Sequence, residues 1–526
     1  MSEDRERESV AVQDEAGKAR RKHPLARKVV YMLSILLWAG SVALAAYLWL
    51  TVKGWNILPD RYMTIAMYVL IGIHAFLGIY ALFNFVNNRN KILADVVLAV
   101  LCAALTLGSI YLPKVKGQVE RAFTPVPTEG TLSIDVFTLK TGGVSDIQQL
   151  AGQTVGIQES IDLSNQDYAI KVIDREITGD DIVTKAYPDI YSAVEALYAG
   201  QVAAIMINES YVAIIADNAD FTDFEAATNK VYQSTQSIKL SYDTSAVSNV
   251  TTEPFIMLVA GRDTYSYDKI QTSSLGRSDV VMLLVVNPAN KQILIVTVPR
   301  DSYVALGGDR TSMDKITHST VYGIDCLVRT VNAFLGVKVN YFVRLNFQSV
   351  IDVVDAMGGI TVDNPYEFTT TRWTLPHGDL ITYKQGVINL TGWQALHYAR
   401  ERHLIRDGVA IGDEGRNMHQ TIVMQAMIKK VTSVEMITHI GDLLQAINGT
   451  FTTDMNMNDV YALAQMQLDE MVDWDVESYH LTGKDGEAKS YAMGRVLDMK
   501  FITKESVAGA QQAIAAALSS QGYHPQ

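Results

Sequence analysis

The 526-residue sequence is poor in cysteine and in charge, and each shortage excludes a class of protein. Its two cysteines, Cys102 and Cys326, lie in different parts of the chain, so we expect packed thiols rather than a disulfide. Charged residues make up 19% of the chain and the net charge is −13 at pH 7, which argues against nucleic-acid binding because that needs a basic face. Apolar residues make up 48%, too many for a disordered chain.

Three long apolar runs occupy the first quarter of the chain. Residues 29–50 carry no charge, residues 62–86 carry only His74 as a potential charge, and residues 92–113 carry only Asp95. Each run can cross a hydrocarbon layer of about 30 Å as a helix, and three runs joined by short loops do not fit a cleaved signal peptide. We therefore predict three transmembrane helices within residues 29–113.

Basic residues determine the predicted orientation of these helices. Six basic side chains and no acidic one lie in residues 18–28, and Arg89 and Lys91 lie in the second loop. Both stretches are typical of cytoplasmic segments, and Lys53 and Arg61 in the first loop weaken this signal without reversing it. We predict a cytoplasmic tail at residues 1–28 and an extracellular location for everything after residue 113. The net charge is then +4 for residues 1–113 and −17 for the rest.

Residues 124–248 are expected to form a small extracellular accessory domain of the α/β class. Pro125 and Pro127 mark a linker, after which residues 132–139 alternate in the way a strand does. The pattern that follows is a strand, a helix closed by glycine and a buried strand, at residues 150–157, 191–200 and 202–207. It resembles one lobe of extracellular solute-binding proteins at half their size. Two roles stay open: binding of a small ligand, or a spacer or docking domain.

Residues 249–520 predict a larger α/β domain with charged residues at the ends of its strands. Apolar runs at residues 255–260, 280–286 and 293–298 predict buried strands, each adjoining an arginine and an aspartate. Helical patterns follow at residues 322–335 and 347–357, before a short strand at 360–362. In open sheets covered by helices, ligands bind at strand ends, so we expect a site there.

A short helix predicted at residues 390–399, with Thr391 as its cap, leads directly into a pair of arginines. On an extended segment, residues two apart face the same side. We therefore expect Arg400 and Arg402 to point together, while Glu401 points away from them.

A longer helix is predicted at residues 413–431. Arg416 lies in its first turn, where free backbone NH groups favour an anion. Gln420 lies one turn further along the same face, so both side chains are expected at one site.

Seven motifs follow one another in the order typical of the LytR-CpsA-Psr family, which the sequence resembles. They are GRSD at 276–279, VPRD at 298–301, KITH at 315–318, YFVRLNF at 341–347, VDAMGG at 354–359, LHYARER at 396–402, and the stretch from Gly415 to Gln420. Three transmembrane helices followed by an accessory domain further resemble the CpsA-type members of capsule loci. The resemblance implies an α/β fold with a central mixed β-sheet flanked by helices.

The resemblance also implies an activity. Members are phosphotransferases of the Gram-positive envelope that move a glycopolymer, such as capsular polysaccharide, from an undecaprenyl-pyrophosphate carrier to peptidoglycan. The implied cofactor is Mg2+, with Mn2+ as the alternative. The implied partners are the polyprenyl-pyrophosphate-linked glycopolymer, peptidoglycan, the membrane and capsule-assembly proteins, with no nucleic acid. Guanidinium forks and a divalent ion suit this chemistry, because phosphoryl transfer depends on positioning and charge stabilisation.

Matching positions give the implied site residues. Asp263 and Asp279 match the family's metal-associated acids, and the sequence leaves open whether either one binds metal or deprotonates the sugar hydroxyl. With these two acids, the implied catalytic residues include Arg300, Arg400 and Arg402. The implied pyrophosphate-lipid-binding residues are Arg277, Arg300, Lys315, Arg344, Arg400, Arg402, Arg416 and Gln420.

The sequence departs from the family pattern at two places. His419 stands where Arg is frequent before Gln420, which is expected to weaken one phosphate contact. Extra apolar residues at 403–411 leave open whether Asp407 or Asp413 lies near the site.

Structural and functional alternatives also stay open. Arg344 has the alternative of an ion pair with Asp352 or Asp355. In place of transfer, water at the same site would make the protein a polyprenyl-pyrophosphate phosphohydrolase. A non-enzymatic sensor or regulator of capsule synthesis is the other alternative, although the 28-residue tail offers no output domain. His318 and His397 are expected to pack or to form hydrogen bonds, since neither has a second ligand at zinc spacing.

Overall fold

The computed structural model describes most of the chain, in two compact units. The described residues are 24–55, 58–82, 88–122, 129–159, 162–216, 218, 220–239, 241–262, 277–375, 378–406, 409–433, 435–436, 443 and 451–525. Met1–Gln118 with Ala464–Asp469 form the first unit, and Val119–Leu463 with Glu470–Gln526 form the second.

The first unit contains three apolar helices, α1 (Pro24–Lys53), α2 (Asp60–Leu82) and α3 (Asn88–Ala122). Segments of all three are long and apolar enough to cross a membrane, with mean hydropathies of 2.1, 2.1 and 2.2 for Lys28–Lys53, Asp60–Leu82 and Ile92–Lys114. Many of their large apolar side chains are exposed, as is usual for helices that face lipid. The three predicted membrane helices are confirmed in length and composition, while their orientation stays a prediction.

Polar contacts join α1 to the other two helices. The Ser34 hydroxyl donates to Asp95 Oδ2 at 2.9 Å, and the Trp38 indole NH donates to the backbone oxygen of His74 at 2.8 Å. A polar group in an apolar bundle is costly unless it finds a partner, so these contacts help to fix the packing of the helices.

The second unit begins with the accessory domain, a five-stranded mixed sheet. Its elements are β1 (Glu129–Leu139), β2 (Thr154–Gln158), α4 (Leu163–Glu176), β3 (Val183–Tyr187), α5 (Ile190–Tyr198), β4 (Ala204–Asn208), α6 (Val212–Ala216), α7 (Phe224–Ala227) and β5 (Thr228–Lys239). The strand order is β3-β2-β4-β1-β5, with β2 parallel to β3 and β4 and with β1 antiparallel to β4 and β5. Asp189 caps α5 by accepting a hydrogen bond from the Ser192 NH at 2.9 Å, which satisfies a free donor of the first turn.

The rest of the second unit alternates strands and helices. In chain order they are β6 (Phe255–Arg262), β7 (Ser278–Asn287), β8 (Gln292–Val298), β9 (Tyr303–Ala305), β10 (Met313–Lys315), α8 (Ile324–Leu335), β11 (Tyr341–Asn346), α9 (Phe347–Ala356), β12 (Ile360–Asn364), β13 (Phe368–Thr369), β14 (Thr382–Tyr383), β15 (Gly386–Leu390), α10 (Gly392–Arg400), β16 (Ile405–Arg406), β17 (Val409–Ala410), α11 (Gly412–Val431), β18 (Phe451–Thr453), α12 (Met457–Glu470), β19 (Asp475–His480), β20 (Gly483–Lys489), β21 (Val496–Ile502) and α13 (Lys504–Leu518). Between β10 and α8 lies a 3₁₀ helix, Ile316–Tyr322.

Six of these strands form the central mixed sheet, in the order β18-β11-β6-β7-β8-β19. β6 and β8 are both antiparallel to β7, and β11 is parallel to β6. The register pairs Arg262 with Ser278 on β7 and with Asn346 on β11. The end of β6, the start of β7, the end of β8 and the end of β11 therefore meet at one edge of the sheet.

Helices cover both faces of the central sheet, which explains why its strands are apolar runs. On one face, α8 and α13 pack against side chains such as Leu258, Leu283 and Val296. On the other face, Met424 and Ile428 of α11 pack against Val259, Met282 and Ile295. Every residue of β8 is buried, and each large aliphatic side chain buried in this way contributes about 1.5 to 3 kcal/mol. The predicted fold class is confirmed.

Helix boundaries follow the predicted signals closely. α10 ends at Arg400, and the Thr391 hydroxyl at its start accepts a hydrogen bond from the Gln394 NH at 3.3 Å. α11 begins at Gly412, one residue before the predicted start.

Candidate active site

The edge where the strand ends meet opens into a cavity of about 560 Å³. The basic side chains that line it are Arg262, Arg277, Arg300, Lys315, Arg400, Arg402 and Arg416. Among the described residues, Asp279 is the only acidic side chain in the lining. This excess of positive charge in a protein with a net charge of −13 favours an anionic ligand.

One group of charged residues comes from the strand ends. Arg277 and Asp279 flank the start of β7, and Arg300 follows the end of the antiparallel neighbour β8. Asp279 Oδ1 lies 2.9 Å from Arg300 Nη1 and 3.3 Å from Arg277 Nε. Lys315, at the end of β10, pairs with Asp301 at 2.8 Å. The Asp301 carboxylate thus has structural ion-pair partners.

A second group comes from α10 and α11. Arg400 ends α10 and Arg402 follows it on an extended segment, and both side chains line the cavity as predicted. The Arg400 guanidinium lies over the Phe347 ring, 4.1 Å from its centroid. Arg416, the fifth residue of α11, pairs with Asp413 Oδ1, one turn earlier, at 2.9 Å.

Asp413 links the two groups of charged residues. Its carboxylate lies 3.6 Å from Arg300 Nε and 3.9 Å from Arg402 Nη1, besides its shorter contact with Arg416. The sequence left its placement open, because the preceding residues depart from the family pattern. In the structure, Asp413 holds three guanidinium groups near one another.

One buried donor beside the cavity lacks an acceptor. In the part of the chain that the structure describes, Arg416 Nε has no hydrogen-bond partner, whereas Arg300 Nε lies 3.6 Å from both Asp301 Oδ2 and Asp413 Oδ2. Buried polar groups are nearly always hydrogen-bonded, so a donor left open beside a cavity indicates a ligand with acceptor oxygens.

The electrostatics of the cluster keep its groups charged. Burial alone would raise the pKa of the Asp279 carboxyl, but Arg277, Arg300 and Arg416 outweigh burial and lower it to about 2. Burial, together with Arg300, lowers the pKa of Arg416. An anion that enters the cavity would relieve the repulsion between these guanidinium groups.

Apolar side chains line the remainder of the cavity. They come from the α11 side of the sheet and from the helices beside it, and include Val259, Met282, Leu345, Val350, Leu396, Val423, Met424 and Met427. Gln420 lies among them on α11, one turn beyond Arg416. The cavity can therefore hold a ligand with a charged part and a long apolar part.

The accessory domain forms part of the cavity wall, through Tyr191, Ile214 and Asn218. The Arg495 guanidinium lies over the Tyr191 ring at 4.2 Å and within 3.6 Å of Asp189 Oδ1. Val321, Ala492 and Met493 of the larger domain also pack into the core of the accessory domain. The roles left open for this domain stay predictions.

Arg344 lies away from the cavity. Side chains alternate along β11, and Leu345 faces the cavity and α11 while Arg344 faces the opposite side of the sheet, with Phe342. Burial, and then the neighbouring Arg262, lower the pKa of Arg344. Its predicted role in lipid binding stays a prediction that has no support from the cavity lining.

His419 also lies away from the cavity, and the expectation that it weakens a phosphate contact is wrong. Its ring is fully buried, stacks on Phe368 at 4.9 Å between centroids and hydrogen-bonds through Nε2 to the Tyr366 hydroxyl at 2.9 Å. Histidine at this position belongs to an aromatic core.

Two residues that the sequence analysis considered lie outside the described part of the chain, and one residue that it did not select lines the cavity. Asp263 and Asp407 lie outside the described residues. Arg262, at the end of β6, lines the cavity although the sequence analysis did not select it. Arg262 could have been predicted, because it directly follows Gly261 at the end of a buried strand, beside Asp263.

The chain is similar to known proteins of one family. The sequence model of the LytR_cpsA_psr family matches residues 221–507. The polyisoprenyl-teichoic acid–peptidoglycan teichoic acid transferase TagU of Bacillus anthracis is 35% identical over 241 residues, which are 45% of this chain and 73% of that protein. TagU of Bacillus mycoides is 37% identical over 210 residues, which are 40% of this chain and 63% of that protein. The crystal structure of B. subtilis TagV aligns with a TM-score of 0.42 and 26% identity, over 52% of this chain and 99% of that one.

Proposed function

This chain belongs to the LytR-CpsA-Psr family, and on that premise we propose that it transfers a glycopolymer from a polyprenyl-pyrophosphate carrier to peptidoglycan. The observation that supports this proposal most directly is a single cavity in which a ring of guanidinium groups adjoins an apolar wall. A pyrophosphate with a long hydrocarbon tail matches both parts of such a cavity.

The arginines bind and orient the pyrophosphate. Arg277, Arg300, Arg400, Arg402 and Arg416 all line the cavity and present guanidinium groups to it. A pair of unit charges 4 Å apart is worth about 4 kcal/mol at an effective dielectric constant of 20, so several such contacts stabilise the charge that develops during transfer.

The reaction exchanges one P–O bond for another. The acceptor hydroxyl oxygen forms a bond to the phosphorus that carries the glycan, and the phosphoanhydride bond breaks. Polyprenyl phosphate leaves, and the hydroxyl proton passes to a base or to water. Because its pKa is about 2, Asp279 is a weak base near neutral pH, so we assign it to charge pairing and metal binding rather than to proton abstraction.

Asp279 fits a magnesium site in which the phosphates of the substrate supply further ligands. Both of its ion pairs fall on Oδ1, which leaves Oδ2 for a cation. Mg2+ commonly takes one or two carboxylates together with phosphate oxygens and water, and no group of three or more acidic, histidine or cysteine side chains could hold a metal among the described residues. We propose Asp279 as one ligand and Asp263 as the second. The bound ion would neutralise charge on the phosphates.

The finer features of the proposal are the side of the membrane, the polymer and the lipid. The basic residues before the first span support a cytoplasmic amino terminus and an extracellular site, where peptidoglycan lies. Capsular polysaccharide is our proposed polymer and undecaprenyl the proposed lipid, on the resemblance to CpsA-type members. The relatives named above are teichoic acid transferases, so a teichoic acid is the competing substrate.

The test uses the full chain in lipid nanodiscs, with a lipid-pyrophosphate oligosaccharide, Mg2+ and peptidoglycan. We expect sugar attached to peptidoglycan and polyprenyl phosphate released in equal amounts. Release of free sugar phosphate with no attachment would instead support the phosphohydrolase alternative. Parallel reactions with a capsule precursor and a teichoic acid precursor identify the polymer.

A further inference from the structure

A single tryptophan stands exposed in the lining of the cavity. Trp373 is 79% exposed, although tryptophan is usually largely buried in folded proteins. It lies between β13 and β14, beside Thr374, which also lines the cavity. An exposed indole in the lining of a cavity offers a flat apolar face on which a ligand can pack.

The ring is held beside the arginine cluster. The His403 ring stacks on one face of the Trp373 indole, with centroids 5.4 Å apart and planes 29° apart. His403 Nε2 in turn accepts a hydrogen bond from Arg402 Nε at 3.1 Å. Because Trp373 is largely exposed, the other face of its indole is open. The His403 side chain connects the indole to the Arg402 guanidinium of the site.

A buried carboxylate fixes both segments of this platform. Glu401 is fully buried, and its side chain accepts hydrogen bonds from the Thr371 NH at 2.6 Å and from the His403 NH at 2.8 Å. The Thr371 backbone oxygen also accepts from the Thr374 NH at 3.1 Å, which closes the turn that carries Trp373. The turn and the His403 segment are therefore preorganised by one group.

We propose that Trp373 and His403 form a stacking platform for a pyranose ring next to the pyrophosphate, a role that rests on the proposed function. One face of a pyranose presents C–H groups, which pack on the negative face of an indole, while its hydroxyls stay free for polar partners. Arg402 and Thr374 supply such partners at the edge of the platform. Both the glycan of the carrier and the acceptor glycan contain this ring.

The test compares Trp373→Ala with the parent in binding experiments on the full chain in nanodiscs. Three probes are used: polyprenyl pyrophosphate without sugar, the same lipid with a disaccharide, and a soluble peptidoglycan glycan fragment. Trp393→Ala is the matched control. Trp393 is 46% exposed, and its ring also lies beside a histidine ring, that of His397, with centroids 4.1 Å apart. It is not among the described residues that line the cavity.

We expect Trp373→Ala to weaken binding of a sugar-bearing probe about tenfold and to change binding of the sugarless lipid less than twofold. A loss confined to the disaccharide lipid assigns the platform to the donor glycan, and a loss confined to the soluble fragment assigns it to the acceptor. Trp373→Phe should recover much of the affinity, and Trp393→Ala should bind as the parent does. Equal weakening of the sugarless lipid, or no weakening of any sugar probe, would overturn the proposal.

Glu401 is a positioning residue in this scheme, and a double-mutant cycle tests it. In a Glu401→Gln background the turn is less firmly held, so we expect the penalty of Trp373→Ala to fall from about tenfold to about threefold. An undiminished penalty would show that Glu401 does not position the platform. Failure of the parent to bind the sugarless lipid would count against the proposed function, while the soluble fragment would still decide the platform.

Discussion

Replacing Asp279 by asparagine separates its two assigned roles, as an ion-pair partner and as a metal ligand. The carboxylate lies within 3.3 Å of two guanidinium groups, which lower its pKa from 3.8 to about 2. Because the folded-state pKa is depressed, the contribution of this carboxylate to stability is present above about pH 4 and is lost as the pH falls through 2. A shift of this size corresponds to about 2.5 kcal/mol of stability at pH 7, which Asp279→Asn removes.

The same substitution should change anion binding in opposite directions with and without magnesium. Without Mg2+, removal of a negative charge from the cluster should make inorganic pyrophosphate bind about tenfold more tightly, with less effect at high salt. With Mg2+, loss of a ligand should abolish this advantage and raise the magnesium concentration needed for half-maximal transfer. Calorimetry of pyrophosphate binding, with a melting curve for each protein, measures both effects. An unchanged magnesium requirement would refute the metal assignment, and unchanged stability would refute the ion-pair reasoning.

The remaining predictions concern the arginines, the buried histidine and the topology. Arg300→Ala should lower the transfer rate of the folded protein about ten- to a hundredfold and should also lower the melting temperature, because it removes an ion-pair partner of Asp279. Arg300→Lys should not fully restore the rate because an ammonium lacks the planar fork, and equal rates for lysine and arginine would contradict this. Burial lowers the pKa of His419 to about 4, so the protein should lose about 3 kcal/mol of stability as the pH falls from 6.5 to 4; His419→Gln, but not the exposed His524→Gln, should remove that dependence in melting experiments. A reporter active only in the cytoplasm, fused after Gln526, should be silent, and activity there would refute the proposed topology.

Local patterns predicted an α/β domain with charged residues at its strand ends, whereas the family resemblance implied the mixed central sheet. Apolar runs such as the one that forms β8 are readable because a strand covered on both faces has to be apolar along its length. The alternation of Arg400, Glu401 and Arg402 correctly predicted that the acid would face away from the arginines, and the structure adds its partner, Thr371. Here short-range geometry alone determines where the side chains go.

Other features depend on tertiary contacts that no local pattern carries. Arg495 meets Tyr191 across about 300 residues of sequence, so the place of the accessory domain in the cavity wall could not be predicted. Trp373 lies in a turn without periodicity, and its neighbour His403 comes from a separate segment. The placement of Arg344, in contrast, could have been predicted, because side chains alternate along β11 and this sets Arg344 on the face opposite Leu345.

We propose above that one cavity binds a lipid pyrophosphate and passes its glycan to peptidoglycan. The most direct measurement follows a radiolabelled lipid-pyrophosphate oligosaccharide with the full chain, Mg2+ and peptidoglycan, and counts the label on the washed polymer. We expect label on peptidoglycan from the parent, and at least tenfold less from Arg300→Ala at an equal concentration of folded protein. No label on peptidoglycan from a parent that binds the lipid, or equal labelling by Arg300→Ala, would contradict it.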